Sequence, residues 1–400
     1  MYTQIKECRA AGGSNLEHVM SLGIQAMSGL FPKSNQDVEY APLDLVWCEN
    51  SQLLQLKHSC DPTEMYGDNY GYRSGLNGSM VTHLKNKAEK LQRNIHPHDL
   101  ILDIGSNDGT FLSFFSSGTK VGMDPTAKKF RNYYPTDIYP IAEFFSQEKY
   151  TQHFGVKAKL ITSMSMFYDL ANPIQFAKEI AACLDDDGIW HLEQSYLPSM
   201  LRQGSYDTIC HEHLEYYSLT AIKRIIELAG LHIHNVSLND INGGSFALDV
   251  MHHSAPPNPE LQWLLEEEKI LGMREAVLQF SLRAEDHRLS LYSLLSDIAE
   301  NNKSIIGYGA STKGNVILQY CAIGSDLVSH VAEINSDKYN CYTPGSNIPI
   351  IPETEARLMK PDYMLVLPWH FKQGIIKRER EYLNNGGKLI FPFPYVEVVG

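Results

Sequence analysis

Apolar and polar positions change their period along the chain. From about residue 81 to 255, short apolar runs of strand length alternate with stretches that repeat every three to four residues. "DLILDIGSNDG" reads as a buried strand ending in a glycine loop, and "KVGMDP", "KAKLITSMS", "GIWHLEQ" and "FALDVMHH" read as further strands. "LKNKAEKLQRN", "NPIQFAKEIAACL" and "LTAIKRIIELAG" have the helical period. Strand and helix in turn predict a parallel sheet covered on both faces. Residues 1–80 are different: short apolar pieces broken by Gly, Pro and Asn predict a small irregular module with little helix. Residues 259–302 are interrupted only by Pro259 at the start and by Gly272, which predicts a long helix or helical hairpin as a connector. From 303 to 400 the alternation restarts in "SIIGYGASTKGNVILQYC", "VSHVAEINSDK", "DYMLVLPWHF" and "KLIFPFP". The expected fold is α/β: an N-terminal module (1–80), a central Rossmann-like domain (81–256), the connector (257–302) and a second Rossmann-like domain (303–400).

Composition narrows the function. Hydrophobic residues make up 43% and charged residues 20%, as in a globular protein. The formal net charge is -13 with no block of Lys or Arg, which argues against a nucleic-acid partner. No apolar run reaches the ~18 residues of a membrane span. The opening "MYTQIKECRA" is too polar for a signal peptide. Seven scattered cysteines do not make a disulfide framework, so the expected compartment is the cytoplasm. Oligomeric state is not legible.

Two glycine loops hold candidate ligand sites. In "LILDIGSNDGTFLSFF", Asp103, Gly105, Asn107 and Gly109 fall at a strand-to-helix turn, where the backbone can approach a ligand. Asp124 ends the next strand and is placed to accept both ribose hydroxyls. Glu143 and Phe144 follow in "IAEFFS", where they would flank an adenine ring, and Ser163 joins them as a cofactor contact from "ITSMS". The D-x-G-x-x-x-G loop resembles that of the class I S-adenosylmethionine (SAM) methyltransferases. NAD competes, but a carboxylate just before the first glycine would repel a pyrophosphate, and a turn serving only helix–strand packing is the bland alternative. In "IIGYGASTKGNVIL", Ser311, Thr312, Lys313 and Asn315 lie among Gly307, Gly309 and Gly314. The order excludes a phosphate loop, yet hydroxyls, a lysine and a helix N-terminus suit an anion. Glu333 sits where a ribose carboxylate would, and Trp369 and His370 lie at a strand end. A helix cap and a buried indole are the plain alternatives.

The densest chemistry is "YDTICHEHLEYYSL", residues 206–219. A metal site, a wet loop and an acid–base centre are all open from composition. Two histidines alone do not complete a zinc site, and the run is not H-E-x-x-H. An imidazole beside a carboxylate is a tunable base.

This stretch resembles the signature of the SAM-dependent deoxysugar C-methyltransferases that act on nucleotide-linked 4-keto sugars. "EMYGDNYGYRSGLN", "ILDIGSNDGTFL", "GMDPT", "ITSMSMFYDL", "LEQSYLPSML", "NGGSF", "GYGASTKGNVILQY" and "PDYMLVLPWHF" resemble the same family, in order, from about residue 40 to the end. The resemblance implies a zinc-binding N-terminal module, a central SAM domain and a C-terminal domain that helps bind the nucleotide sugar. It also implies His213 as the base, assisted by Glu212 and Tyr72. Tyr72 or His211 is then the candidate donor to the enolate oxygen. The chain departs from the pattern at named positions. "CRAA" keeps Cys8 but has Ala11, and "CENS" keeps Cys48 but has Ser51, so zinc is not expected unless His58 or Cys60 substitutes. Cys210 replaces an expected tyrosine and Ala247 an expected arginine, which bears on the sugar accepted. Two other readings are a methyltransferase for another acceptor, such as a hydroxyl, and a non-catalytic homologue.

Overall fold

The computed structural model describes residues 2–34, 38–66, 72–254, 256 and 258–400. The N-terminal module is more ordered than its sequence pattern predicts. Strands β1 (Glu17–Ala26), β2 (Tyr40–Cys48) and β3 (Leu53–Leu56) form an antiparallel sheet. Register shifts between His18 and Met20 and between Ser21 and Ile24 break the in–out alternation that would have revealed the long first strand. The short strand Glu215–Tyr216 pairs with Gln55 and Leu54, so the residues just after the His-Glu-His run are stitched into this sheet.

Helix α1 (Gly78–Leu91) starts ahead of the expected domain boundary. The Asn77 side chain caps it by accepting from the backbone N–H groups of Ser79 and Met80, a cap worth about 1 kcal/mol. Its His83 and Lys87 both reach Glu193, at 2.5 and 2.8 Å, and pin the helix over the central sheet.

That sheet is built from β4 (Leu100–Ile104), β5 (Thr119–Met123), β6 (Ile138–Ile141), β7 (Ala158–Met164) and β8 (Leu184–Ser195). After helix α2 (Leu219–Leu228) come β9 (His232–Asn239) and β10 (Ser245–Met251). The order is β9-β10-β8-β7-β4-β5-β6. The chain reverses direction across the sheet between β4 and β7, a switch point that opens a crevice at the strands' carboxyl ends. The sheet is not wholly parallel, as the alternation had suggested: β10 runs antiparallel to both neighbours. The link from Asn239 to Ser245 is far too short for a crossover, so it makes a hairpin. Nor does an α-helix follow the first glycine loop. Only the 3₁₀ turn Leu112–Phe114 fits before β5, so ligand donors there come from the loop backbone.

Helices α3 (Pro259–Leu271) and α4 (Met273–Glu300) break at Gly272, whose φ is +64°. The connector expected over 257–302 is therefore two parts with different duties. Buried Glu268 of α3 accepts from the Thr220 N–H at 2.9 Å and from Tyr196 Oη at 2.8 Å, so α3 locks onto the central domain. Helix α4 shares one core with Met20, Leu43 and Trp47 of the first module and with Ile305 and Val316 of the last domain.

The last domain has β11 (Ile305–Tyr308), helix α5 (Thr312–Tyr320), β12 (Val331–Glu333), β13 (Ile350–Pro352), β14 (Tyr363–Val366), β15 (Lys388–Phe391) and β16 (Glu397–Val399). The order is β13-β12-β11-β14-β15-β16, parallel except for β16.

Candidate active site

The crevice at the switch point is lined by the first glycine loop. Gly105 and Gly109 have φ of +74° and +76°. A Cβ on Gly109 would lie 2.8 Å from the Tyr134 ring, and one on Gly105 would press on Met166. Between them Asn107 is also left-handed (φ +52°) and is tied at both backbone ends: its N–H donates to Asp124 Oδ2 at 2.8 Å and its carbonyl accepts from Tyr134 Oη at 2.8 Å. Asp124 Oδ1 accepts from the N–H and hydroxyl of Thr126, both at 2.6 Å. Three of about four acceptor positions on that carboxylate are thus taken by the protein, leaving about one open where two had been expected for a ribose. Asp103 accepts from Thr162 Oγ1 at 2.6 Å; burial, reinforced by the Asp124 charge, pushes its carboxyl up to about 7. A buried carboxyl at the base of this loop is chemically suited to a cationic group such as the methionine end of SAM.

The other expected cofactor contacts divide. Phe144 is 39% exposed and meets Tyr66 edge-on at 6.4 Å, on the crevice rim, while Glu143 is exposed and ion-paired to Lys149 at 2.9 Å. Ser163 is a correction. The strand pleat turns it away from Thr162 and Asp103, it is fully buried, and it accepts from Trp190 Nε1 at 2.7 Å. The Asn107 carboxamide is a second correction. It faces the Tyr72–Ser74 backbone, accepting from Ser74 N–H at 2.9 Å and donating to the Tyr72 carbonyl at 3.2 Å. Residues 67–71 of the "GDNYGYRSG" stretch lie outside the described residues.

The His-Glu-His run is neither a strand nor a wet loop. It is a tight, largely buried turn, with the His213 N–H bonded to the Cys210 carbonyl. His213 Nδ1 donates to the Thr208 carbonyl at 2.8 Å, which sets the tautomer and leaves the Nε2 lone pair free to take a proton. Burial, with a smaller push from Lys313, lowers this imidazole to about 4 against the upward pull of Glu212. It is neutral at pH 7. The Tyr168 ring lies 4.4 Å from it, with its phenol paired to the Ser165 side chain and within the field of Tyr72. Tyr72 is 45% exposed; burial of its phenol raises it, against a side-chain hydrogen bond with Ser74. Glu212 takes a hydrogen bond from the Cys210 thiol, and Glu212 Oε2 has no partner among the described residues. His211 turns the other way. Its Nε2 donates to the Ala41 carbonyl of the N-terminal module at 3.1 Å, so its ring proton is already held, and Nδ1 has no partner among the described residues; burial lowers the imidazole.

The second glycine loop faces the same cleft. Ser311 caps α5 by accepting from Gly314 N–H at 3.0 Å. Lys313 Nζ donates to the Asn242 carbonyl at 3.0 Å, and Asn242 Nδ2 reaches Ser165 Oγ at 3.3 Å, so Lys313 is linked through Asn242 and Ser165 to Tyr168 beside His213. The hydroxyl of Thr312 lies near Glu212 across Gly29. Three expected substrate contacts are corrected. Glu333 accepts from the N–H groups of Ala310, Ile334 and Asn335 at 2.8–2.9 Å, bracing the loop as Asp124 braces the first one. Asn315 is fully buried and donates to the Ser28 carbonyl at 2.7 Å, joining the N-terminal module to α5. Trp369 is 7% exposed with its indole N–H on Asp207 Oδ2 at 2.7 Å, so the plain reading of that indole holds. His370 stays in play: Nδ1 has no partner among the described residues, and burial, then Lys313, lowers it to about 3. Tyr168, Ser165, Thr208 and Asn242 were not singled out from sequence, although "ITSMSMFYDL" and "NGGSF" contain three of them.

The zinc ligand set does not fit a metal. Cys8 Sγ sits 3.0 Å from Ser51 Oγ and accepts from Gln55 Nε2 at 3.1 Å, with Ala11 in the remaining position and Cys48 packed against Gly12. Two thiols, a hydroxyl and a methyl cannot make a tetrahedral thiolate cage. Among the described residues no group of three or more His, Cys, Asp or Glu side chains is placed to hold a metal ion. None of the seven cysteines forms a disulfide among the described residues, and no helix described is long and apolar enough to cross a membrane.

A switch-point crevice with this loop beneath a seven-stranded sheet defines a SAM-dependent methyltransferase. Residues 82–236 match a methyltransferase domain, 240–394 a C-methyltransferase C-terminal domain and 8–66 a zinc binding domain. The C-methyltransferase NovU of Streptomyces niveus is 30% identical over 410 residues, spanning 99% of this chain and 97% of that protein. The chain belongs to this family of SAM-dependent C-methyltransferases. Among solved structures, a SAM-dependent methyltransferase from Aquifex aeolicus aligns with 49% of this chain and 100% of its own at 14% identity and a TM-score of 0.35. The mitomycin 7-O-methyltransferase MmcR aligns with 44% and 55%, at 14% identity and 0.37.

Proposed function

We propose that this enzyme methylates the carbon beside the ketone of a nucleotide-linked keto-deoxysugar. The observation that carries the reading is the tautomer of His213: Nδ1 is committed to the Thr208 carbonyl, so a neutral imidazole keeps Nε2 as a base in the cleft between the two glycine loops. A hydroxyl acceptor needs less help to react, whereas a carbon must first lose a proton. His213 Nε2 takes that proton, and the Tyr72 phenol donates to the developing enolate oxygen. Glu212, with a free carboxylate oxygen, steadies the imidazolium or receives a sugar hydroxyl. Lys313 and the N-terminus of α5 receive the phosphates of the nucleotide. SAM, when bound, supplies an electrophilic methyl group; the protein's part is to hold the carbon in line with it.

The test is mass spectrometry of the enzyme with SAM and a panel of nucleotide-linked 4-keto-6-deoxysugars in deuterated buffer. A product with one added methyl on carbon and deuterium exchange at that carbon support the reading. Methyl transfer to oxygen, without exchange, overturns it.

A further inference from the structure

The backbone that presents Tyr72 is held by the cofactor loop and not by its own chain neighbours alone. The Asn107 carboxamide grips it on both sides of Arg73, accepting from Ser74 N–H at 2.9 Å and donating to the Tyr72 carbonyl at 3.2 Å. Asp108 adds a second hold: Oδ2 accepts from Gly75 N–H at 3.0 Å and lies 3.3 Å from Arg73 Nε, while the Arg73 guanidinium covers the Tyr133 ring at 3.8 Å. Asn107 itself is fixed by the groups that shape the crevice, through its N–H on Asp124 and its carbonyl on Tyr134. Three hydrogen bonds thus link the carboxylate at the end of β5, through one left-handed asparagine, to the backbone on either side of Arg73 that carries Tyr72.

We infer that Asn107 is a positioning residue for Tyr72, coupling proton abstraction on the acceptor to occupancy of the cofactor crevice. This rests on the reading that Tyr72 stabilises the enolate. A ligand that settles the 105–109 backbone settles Asn107, and through it the phenol. The acceptor is then activated mainly when a methyl donor is present, which limits the time a reactive enolate spends exposed to water. Side-chain hydrogen bonds that act only through Tyr72 should lose their effect when the phenol is gone.

The experiment is a double-mutant cycle. Glycine adopts the φ of Asn107 without strain, so Asn107→Gly removes the carboxamide and keeps the backbone. Asn107→Gly is expected to lower kcat about 10- to 100-fold, as a small misplacement of a reacting group does, while changing the SAM dissociation constant less than about 3-fold. Asn107→Asp, which keeps the acceptor for Ser74, should fall between. In a Tyr72→Phe background Asn107→Gly should cost less than about 2-fold. Full additivity, or a loss confined to SAM binding, overturns the proposal. A readout that needs no acceptor separates this from failure of the functional reading. In protein labelled with 3-fluorotyrosine, S-adenosylhomocysteine should shift the ¹⁹F resonance assigned to Tyr72 in the parent protein and not in Asn107→Gly. If no keto sugar is turned over but the shift behaves this way, the functional reading fails and the coupling stands. An equal shift in both proteins removes the coupling.

Discussion

The carboxylate of Glu212 occupies the space where a Cβ on Gly29 would stand, so a glycine of the N-terminal module forms part of the wall of the active-site cleft. The same loop is bound to α5 through the Ser28 carbonyl and Asn315, at 2.7 Å. The three parts of the chain therefore meet at Glu212. Gly29→Ala would displace the flexible end of that side chain and leave the backbone in place. The expected outcome is a fall of about 10-fold in kcat/KM with little change in Tm, read by steady-state kinetics and thermal unfolding beside the parent enzyme. A large drop in Tm with unchanged specific activity would contradict this.

His213→Asn should retain SAM binding and lose methyl transfer by at least ~10²-fold, the usual worth of a positioned base. The pH profile follows from the lowered imidazole. Because burial holds His213 near 4, it stays unprotonated well below the ordinary 6.5, and the acid limb of kcat/KM should lie nearer 4 than 6.5. Glu212 pulls this value upward, so Glu212→Gln should move the limb to still lower pH. A limb centred on 6.5 in the parent enzyme would mean a solvated imidazole.

Asp103 offers a test at the cofactor end. With its carboxyl pushed up to about 7, the unliganded protein carries it partly protonated at neutral pH. A cationic ligand beside it favours the carboxylate, so binding should release a proton. SAM affinity is expected to rise with pH up to about 7 and then level. Calorimetry in two buffers of different ionisation heat counts the proton, and Asp103→Asn should flatten the dependence.

The first module should not need metal. Chelators are expected to leave the Tm of the parent protein unchanged, because Cys8 is already satisfied by Ser51 and Gln55. Restoring thiols with Ala11→Cys and Ser51→Cys should create a site that takes up one zinc per chain, with a Tm that falls on chelation. Stoichiometric zinc in the parent protein, measured by elemental analysis, would refute the argument.

Legibility tracked how local each signal was. Alternating periods and glycine at positive φ revealed the two α/β domains and both loops, since pleat, helical turn and steric freedom act within a few residues. The long strand Glu17–Ala26 escaped because its bulges scramble the alternation. The β9–β10 hairpin was missed because a run of apolar residues reads alike in either direction. Among the loop residues, the positive φ of Gly105 and Gly109 was legible because it depends on backbone geometry near them in sequence.

The amino-acid order alone determined the element types, the glycine loops, the loss of two zinc thiols and the His-Glu-His run, all of which are matters of residue identity at short spacing. Tertiary structure decided what each polar group is free to do. His213 keeps a lone pair because Thr208 takes its other nitrogen, while the His211 Nε2 proton is held by Ala41 of the N-terminal module. Ser163 and Glu333 are spent on Trp190 and a loop backbone, and the Asn315 amide nitrogen on Ser28. A buried polar group must find a partner somewhere, and which partner it finds depends on segments far away in the chain.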